Sequence, residues 1–156
     1  MKRLLMGVCL LLTVGMLLSG CSGDGCKNEV LSAYNNTLEY LSSFSLTPDG
    51  DLKGIRQQGE DQYTGHYQAE YREFTGKEIL FGGTALERTA GSQLTVTCKL
   101  QVSSGQGVLY LADKEGIHPI LEGGGEEEVQ IQLTSGDNYF ISEGKAWTGS
   151  ISITIS

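Results

Sequence analysis

Basic residues are scarce in this chain: 11 lysines and arginines stand against 19 acids in 156 residues, a formal charge of −8. That balance excludes a nucleic-acid partner, whose phosphates need clustered cations, and equally a polybasic grip on anionic lipid head groups. There are only two histidines, His66 and His118. No Gly-x-Ser-x-Gly elbow, His-Glu-x-x-His pair or Ser-x-x-Lys box accompanies them, so hydrolytic machinery of the familiar kinds is missing. The cysteines lack the close pairing of a zinc site. Asp49-Gly50-Asp51 opens like a calcium loop but is not followed by the remaining ligands, and reads as a polar turn. Gly123-Gly124-Gly125 has no Lys-Ser/Thr after it, which excludes a phosphate cradle. Glu126-Glu127-Glu128 is a solvated run at a hairpin tip. The sequence therefore predicts no catalysis, no cofactor and no metal ion.

What is present begins at the N-terminus. Lys2 and Arg3 precede an uncharged apolar stretch from Leu4 to Leu18, too short for a comfortable membrane span. No later segment is long and apolar enough to span a bilayer. The stretch ends at Leu18-Ser19-Gly20-Cys21 and passes at once into small polar residues. A processed leader, a plain secretory signal and an uncleaved anchor are the available readings, and Leu18 is a poor −3 residue for a plain signal. Leu18-Ser19-Gly20-Cys21 resembles the lipobox of bacterial lipoproteins. That resemblance implies cleavage before Cys21, a diacylglycerol thioether on its sulfur and, in many lipoproteins, a further acyl group such as palmitate on the new amine. Each buried methylene contributes about 0.8 kcal/mol, so two or three chains hold a protein stably where one holds it marginally. The implied location is the cell membrane or outer membrane, with the body facing the extracytoplasmic side.

Cleavage there leaves 136 residues, enough for one domain with a core of its own. The leader takes two of the basic residues, so the mature charge is about −10. Four segments follow: the leader (1–20), the lipidated cysteine and a flexible tether (21–27), a short helix and turn (28–51), and a β domain (52–156). Leu31, Tyr34, Leu38 and Leu41 recur at helical intervals between about Glu29 and Ser42, interrupted by Asn35-Asn36. Thr47-Pro48-Asp49-Gly50-Asp51 is a turn.

Beyond it the period is two. Tyr63, Gly65, Tyr67, Ala69 and Tyr71 share one face. Leu94, Val96, Cys98, Leu100 and Val102 alternate with polar residues, as do Val129, Ile131 and Leu133. Ile151, Ile153 and Ile155 alternate with serine and threonine. Val108–Ala112 is apolar on both faces and belongs mid-sheet under cover. Thr75-Gly76-Lys77, Ser103–Gly107, Asp113–Gly116 and Ser135–Asn138 are turns. Short strands at this spacing predict an all-β fold, an antiparallel, jelly-roll-like β-sandwich of about seven to nine strands in two sheets. Cys98, on an apolar strand face, reads as a small buried thiol more readily than as the partner of Cys26, although an exported chain permits the bridge.

Two further likenesses concern the C-terminal part. Gly107–Asp113, then Gly136-Asp137-Asn138-Tyr139 and a last alternating strand after Thr148-Gly149, resemble the accessory β-sandwiches of the pre-peptidase C-terminal type. The resemblance implies a fold and no activity. Ser135-Gly136-Asp137-Asn138-Tyr139 followed by Trp147 is similar to a pattern in small lysozyme-inhibitor lipoproteins. Gly149 departs from it, standing where that family carries a lysine.

Aromatic residues are the candidate ligand surface. Tyr63, Tyr67 and Tyr71 form either a wet strip on an uncovered sheet or the filling of a sandwich interior. Trp147 shares parity with Ile151–Ile155, in or at the edge of the core. The function expected is a non-catalytic binding or accessory module of the cell envelope, anchored to the membrane through Cys21, with a protein or glycan ligand. The alternatives are a structural subunit of an envelope assembly, an inhibitor, or a hydrolase. The last requires His66 or His118 to meet a carboxylate in a pocket.

Overall fold

The computed structural model describes residues 45–85, 88 and 90–156. The leader, Cys21, Cys26 and the helix expected between Glu29 and Ser42 lie outside these residues. Among the described residues every regular element is a strand: β1 (Ile55–Gln58), β2 (Gly65–Ala85), β3 (Gln93–Asp113), β4 (Gly116–Glu122), β5 (Gly125–Gln132) and β6 (Gly136–Ile155). All pairings are antiparallel, in the order β1-β2-β6-β3-β4, with β5 also on β3. The all-β antiparallel class follows from the period-two alternation and the lack of crossover helices.

The described residues form six strands where turn spacing predicts seven to nine, because two of the expected turns are bends inside continuous strands. Thr75-Gly76-Lys77 lies within β2 and Ser103–Gly107 within β3. The three long strands lose register at one level: β2 and β6 between Tyr71 and Gly76, β3 and β6 between Val102 and Gln106. Bulges of this kind bend a strand and increase its twist. Glu73 and Ala146 carry positive φ there, 50° and 48°. Their backbone N–H groups donate across the bend to the hydroxyls of Thr148 (3.1 Å) and Thr75 (2.9 Å). Two threonines thereby satisfy amides that the broken ladder would otherwise orphan.

Bending folds one sheet into two facing layers. The first holds β1, the beginning of β2, the end of β6, the beginning of β3, and β5; the second holds the remaining halves of those long strands and β4. The interior between them is one apolar cluster that includes Leu94, Val96, Cys98, Leu100, Leu109, Leu111, Ile151, Ile153 and Ile155. Side-chain parity thus matches the sequence, since a one-residue slip would have turned the isoleucines outward. Val108–Ala112 is covered on both sides as expected: Leu109 and Leu111 enter the main core, while Tyr110 and Ala112 join Tyr139 and Ile141 in a second cluster. Cys98 is a free, buried thiol.

The entering chain is held by Arg56, whose side chain is almost wholly buried. It donates to Asp49 Oδ1, Thr47 O and Leu80 O, joining the Pro48–Asp51 turn to the second half of β2. Arg88 does the same further on, donating to Asp61 and to Gly91 O while lying over the Tyr63 ring.

Candidate functional site

The four aromatic candidates are interior residues. Tyr67 and Trp147 are 0% exposed, and Tyr63 and Tyr71 are 2% exposed. No ring face among them is presented to a ligand, so the wet strip does not form and the sandwich-filling alternative holds. The reason is that the layer carrying β4 closes over their face. Trp147 packs on Tyr71 with ring centroids 4.2 Å apart, and Tyr71 stacks on Phe74 at 4.7 Å.

The tyrosine hydroxyls have their own buried partner. Glu78, only 2% exposed, accepts hydrogen bonds at Oε2 from Tyr67 (2.9 Å) and Tyr71, and at Oε1 from the Lys53 N–H. The Tyr71 hydroxyl also lies 2.9 Å from Ser142 Oγ. Burial pushes both tyrosine hydroxyls well above their ordinary pKa, and the neighbouring Glu78 adds to the rise. Every buried side-chain polar atom among the described residues finds a partner. This network joins the two layers, because Tyr67 and Tyr71 lie before the bend in β2 and Glu78 and Ser142 beyond it.

Concave surface with suitable chemistry lies elsewhere, between the edge strands of the two layers. β3 pairs with β5 along Gln93–Leu100 and with β4 along Val108–Asp113. β4 and β5 thus edge opposite layers on the same side and do not hydrogen-bond to each other. The cleft between them has a volume of about 350 Å³. Leu111, Ile120, Val129 and Ile131 form its apolar floor, and Asp113, Glu115, His118, Glu127, Gln132 and Thr134 supply polar groups around it. An apolar floor with a few convergent polar groups is the usual composition of a ligand site. Larger concavities, about 570 Å³ beside β1 and about 530 Å³ over β5, β3 and β6, lie on the polar outer surface and lack such a floor.

The tight Asp113–Gly116 turn builds the polar end. Asp113, 5% exposed, pairs with Gly116, and His118 pairs with Leu111, which puts His118 diagonally across from Asp113 on one face. Asp113 Oδ1 accepts from the N–H groups of Glu115 (2.7 Å) and Gly116 (3.2 Å), and from His118 Nε2 at 3.0 Å. A carboxylate accepts only, so Nε2 carries a proton and donates it to Asp113. Thr134 is occupied by Asn138, which caps the turn before β6. At the other end Glu127 stands opposite Cys98, on the inward face shared by Val129 and Ile131. It is the one carboxylate of the Glu126–Glu128 run that faces the cleft; Glu126 pairs with Lys99 and Glu128 meets Thr97 on the outer face. Burial raises the Cys98 thiol pKa and makes it a poor nucleophile.

Sequence reasoning missed this cleft. His118 read as a strand residue beside Pro119, and Glu127 as part of a solvated run. Two signals were available. A tight Asp113–Gly116 turn dictates the diagonal that joins Asp113 to His118, and alternation from Val129 and Ile131 places Glu127 inward. His66, by contrast, sits on the outer face with Nδ1 3.0 Å from Thr154 Oγ1. The described residues contain no cluster of three or more His, Cys, Asp or Glu able to hold a metal ion. They also contain no helix long and apolar enough to cross a membrane. Cys21 lies outside them.

No family model matches the chain, and no curated protein matches it in sequence. Among solved structures it is similar to BiXyn10A CBM1 in its apo form, at 10% identity and a TM-score of 0.35 over 67% of this chain and 86% of that one. It is also similar to Drosophila melanogaster CENP-C bound to CAL1, at 11% identity and a TM-score of 0.28 over 82% and 99% of the two chains. A third is the C-terminal CBM6 of LamC, a laminarinase from Zobellia galactanivorans, at 8% identity and a TM-score of 0.25 over 66% and 89%. Likenesses this slight identify no ligand.

Proposed function

We propose that this chain is a lipid-anchored, extracytoplasmic binding module without catalytic activity, tethered through Cys21 and taking an envelope component in the β4–β5 cleft. The observation that carries the binding role is the cleft itself, with core side chains as its floor and oriented polar groups at its ends. The anchor rests on Leu18-Ser19-Gly20-Cys21 alone.

Each half has its own test. Mass spectrometry of the native N-terminal peptide is expected to show a chain beginning at Cys21 with a diacylglycerol thioether. In Cys21→Ser the lipid mass disappears and the leader stays on; a leader still removed from that variant removes the anchor from the proposal. For the cleft, the chain isolated in detergent is offered glycan and protein fractions of the envelope. His118→Trp, a half-exposed position whose larger side chain fills the cleft mouth, is expected to lose the captured component while circular dichroism stays unchanged. Retention at the original level would place the site elsewhere.

The His118–Asp113 pair favours a second reading, an acid–base site, because a histidine oriented by a carboxylate in a pocket is what a hydrolase needs. No described hydroxyl or thiol is hydrogen-bonded to His118, so water would have to be the nucleophile. Turnover of any envelope polymer that His118→Ala abolishes would establish this reading over the first.

A further inference from the structure

The edge of β5 and the charge around it narrow the occupant of the cleft, on the reading that the cleft is the binding site. We propose that the cleft takes an extended segment of a partner protein, which adds as a strand to the free edge of β5. Apolar side chains of that segment enter between the layers, and the lysine or arginine side chains that alternate with them lie on the outer face beside Glu128.

Four observations converge on this. First, among the described residues β5 pairs only with β3, so its other edge offers a row of backbone groups along Gly125–Gln132 that no described strand takes up. Second, β4 is a poor template for the same purpose. Pro119 interrupts it with a residue that has no N–H, beside a register shift at Leu109/Tyr110. Third, a strand added to β5 would point alternate side chains onto Val129 and Ile131, which pack only partly buried against the core. The positions from Glu127 to Gln132 span about 17 Å at roughly 3.4 Å per residue, room for about five residues of extended chain.

Fourth, the charge is one-sided. Asp113, Glu115 and Glu127 line the cleft, and no lysine or arginine does. Lys99 neutralises Glu126, whereas Glu127 has no cationic partner among the described residues. An acidic run on an edge strand repels a second copy of β5, which would bring its own Glu126–Glu128 alongside, and Glu128, also without a cationic partner among the described residues, favours a basic strand.

The test titrates the full chain, isolated in detergent, with a fluorescein-labelled peptide of alternating lysine and valine, read by anisotropy. A glutamate–valine peptide and a lysine–valine peptide methylated on its edge-facing amides serve as comparisons. The lysine peptide is expected to saturate, the glutamate peptide not to bind, and methylation to abolish binding by blocking backbone pairing. Glu128→Lys is expected to weaken the lysine peptide about tenfold. Glu70→Lys makes the same charge change on the outer face of β2, away from β5, and is expected to leave affinity within about twofold. Equal losses in the two variants, or undiminished binding of the methylated peptide, would reduce the effect to net charge and overturn strand addition. If the lysine peptide fails to bind while His118→Trp still loses the envelope component, the occupant is wrong and the cleft stands. If both fail, the cleft reading falls with it.

Discussion

Alanine in place of Trp147 is expected to lower the free energy of unfolding by about 3 to 5 kcal/mol, the cost of emptying a large, well-packed aromatic site. Trp147 is fully buried at the level where all three long strands change register. Its indole N–H donates to Gln101 O at 2.9 Å, so truncation also strips a backbone acceptor of its partner. Two glycines make room for it. A Cβ on Gly107 would lie 2.7 Å from the indole ring, and one on Gly149 would lie 1.9 Å from Gln101 O. Gly107→Ala alone is therefore expected to destabilise by about 1 to 3 kcal/mol through overpacking. In the double variant Trp147→Ala/Gly107→Ala the new methyl group enters vacated space, so the two losses should not add. Urea denaturation of the four proteins measures this directly. Strict additivity would mean that the bend does not depend on contact between Trp147 and Gly107.

The second large effect is expected at the buried Glu78 network. Tyr71→Phe removes one donor to Glu78 Oε2 and the contact with Ser142 while leaving the ring packing intact. A buried carboxylate short of a donor costs about 1 to 3 kcal/mol. Replacing both partners, as Glu78→Met/Tyr71→Phe, should cost less than the two single changes together, because neither member of the pair is then left facing the other's absence, although the Tyr67 hydroxyl and the Lys53 N–H still lose their acceptor. The same network governs alkaline behaviour. Tyr67 and Tyr71 ionise above their ordinary value of 10.0 in the folded chain, first because they are buried and further because Glu78 is near. Their contribution to stability is complete below pH 10 and is lost as pH rises from there toward the folded-state values. Tyrosinate absorbance from these two residues should therefore appear together with unfolding. Its appearance in a still-folded chain near pH 10 would show the hydroxyls open to water.

Much of this architecture was legible because alternation constrains it tightly. Leu94 to Leu100 and Ile151 to Ile155 read as inward residues and are inward, since any other register would expose every one of them. Cys98 as a buried thiol followed from the same parity. The bends were not legible. Glycine-bearing stretches such as Thr75-Gly76-Lys77 look alike whether they reverse a chain or bulge a strand, and only the cross-strand hydroxyls of Thr75 and Thr148 decide between the two. Glu78 carries no sign of its burial in the sequence, because that burial depends on hydroxyls that arrive from Tyr67 and Tyr71 earlier in β2. The aromatic surface failed as a ligand site for a related reason: parity says which residues share a face, but whether a second layer covers that face is a tertiary matter. The cleft was hardest to see, because it arises where β3 trades one edge partner for another.

The strand order has a consequence for how the molecule is made. β6 lies between β2 and β3 and is the last of the six strands in the chain. Until it emerges, β2 and β3 share no described neighbour, and the described pairings then available are those of β3 with β4 and β5 and the short β1–β2 pair. Such fragments are marginal in water on their own. The described domain should therefore stay unfolded until β6 has been made, and its closing step is the insertion of β6 between two strands already present.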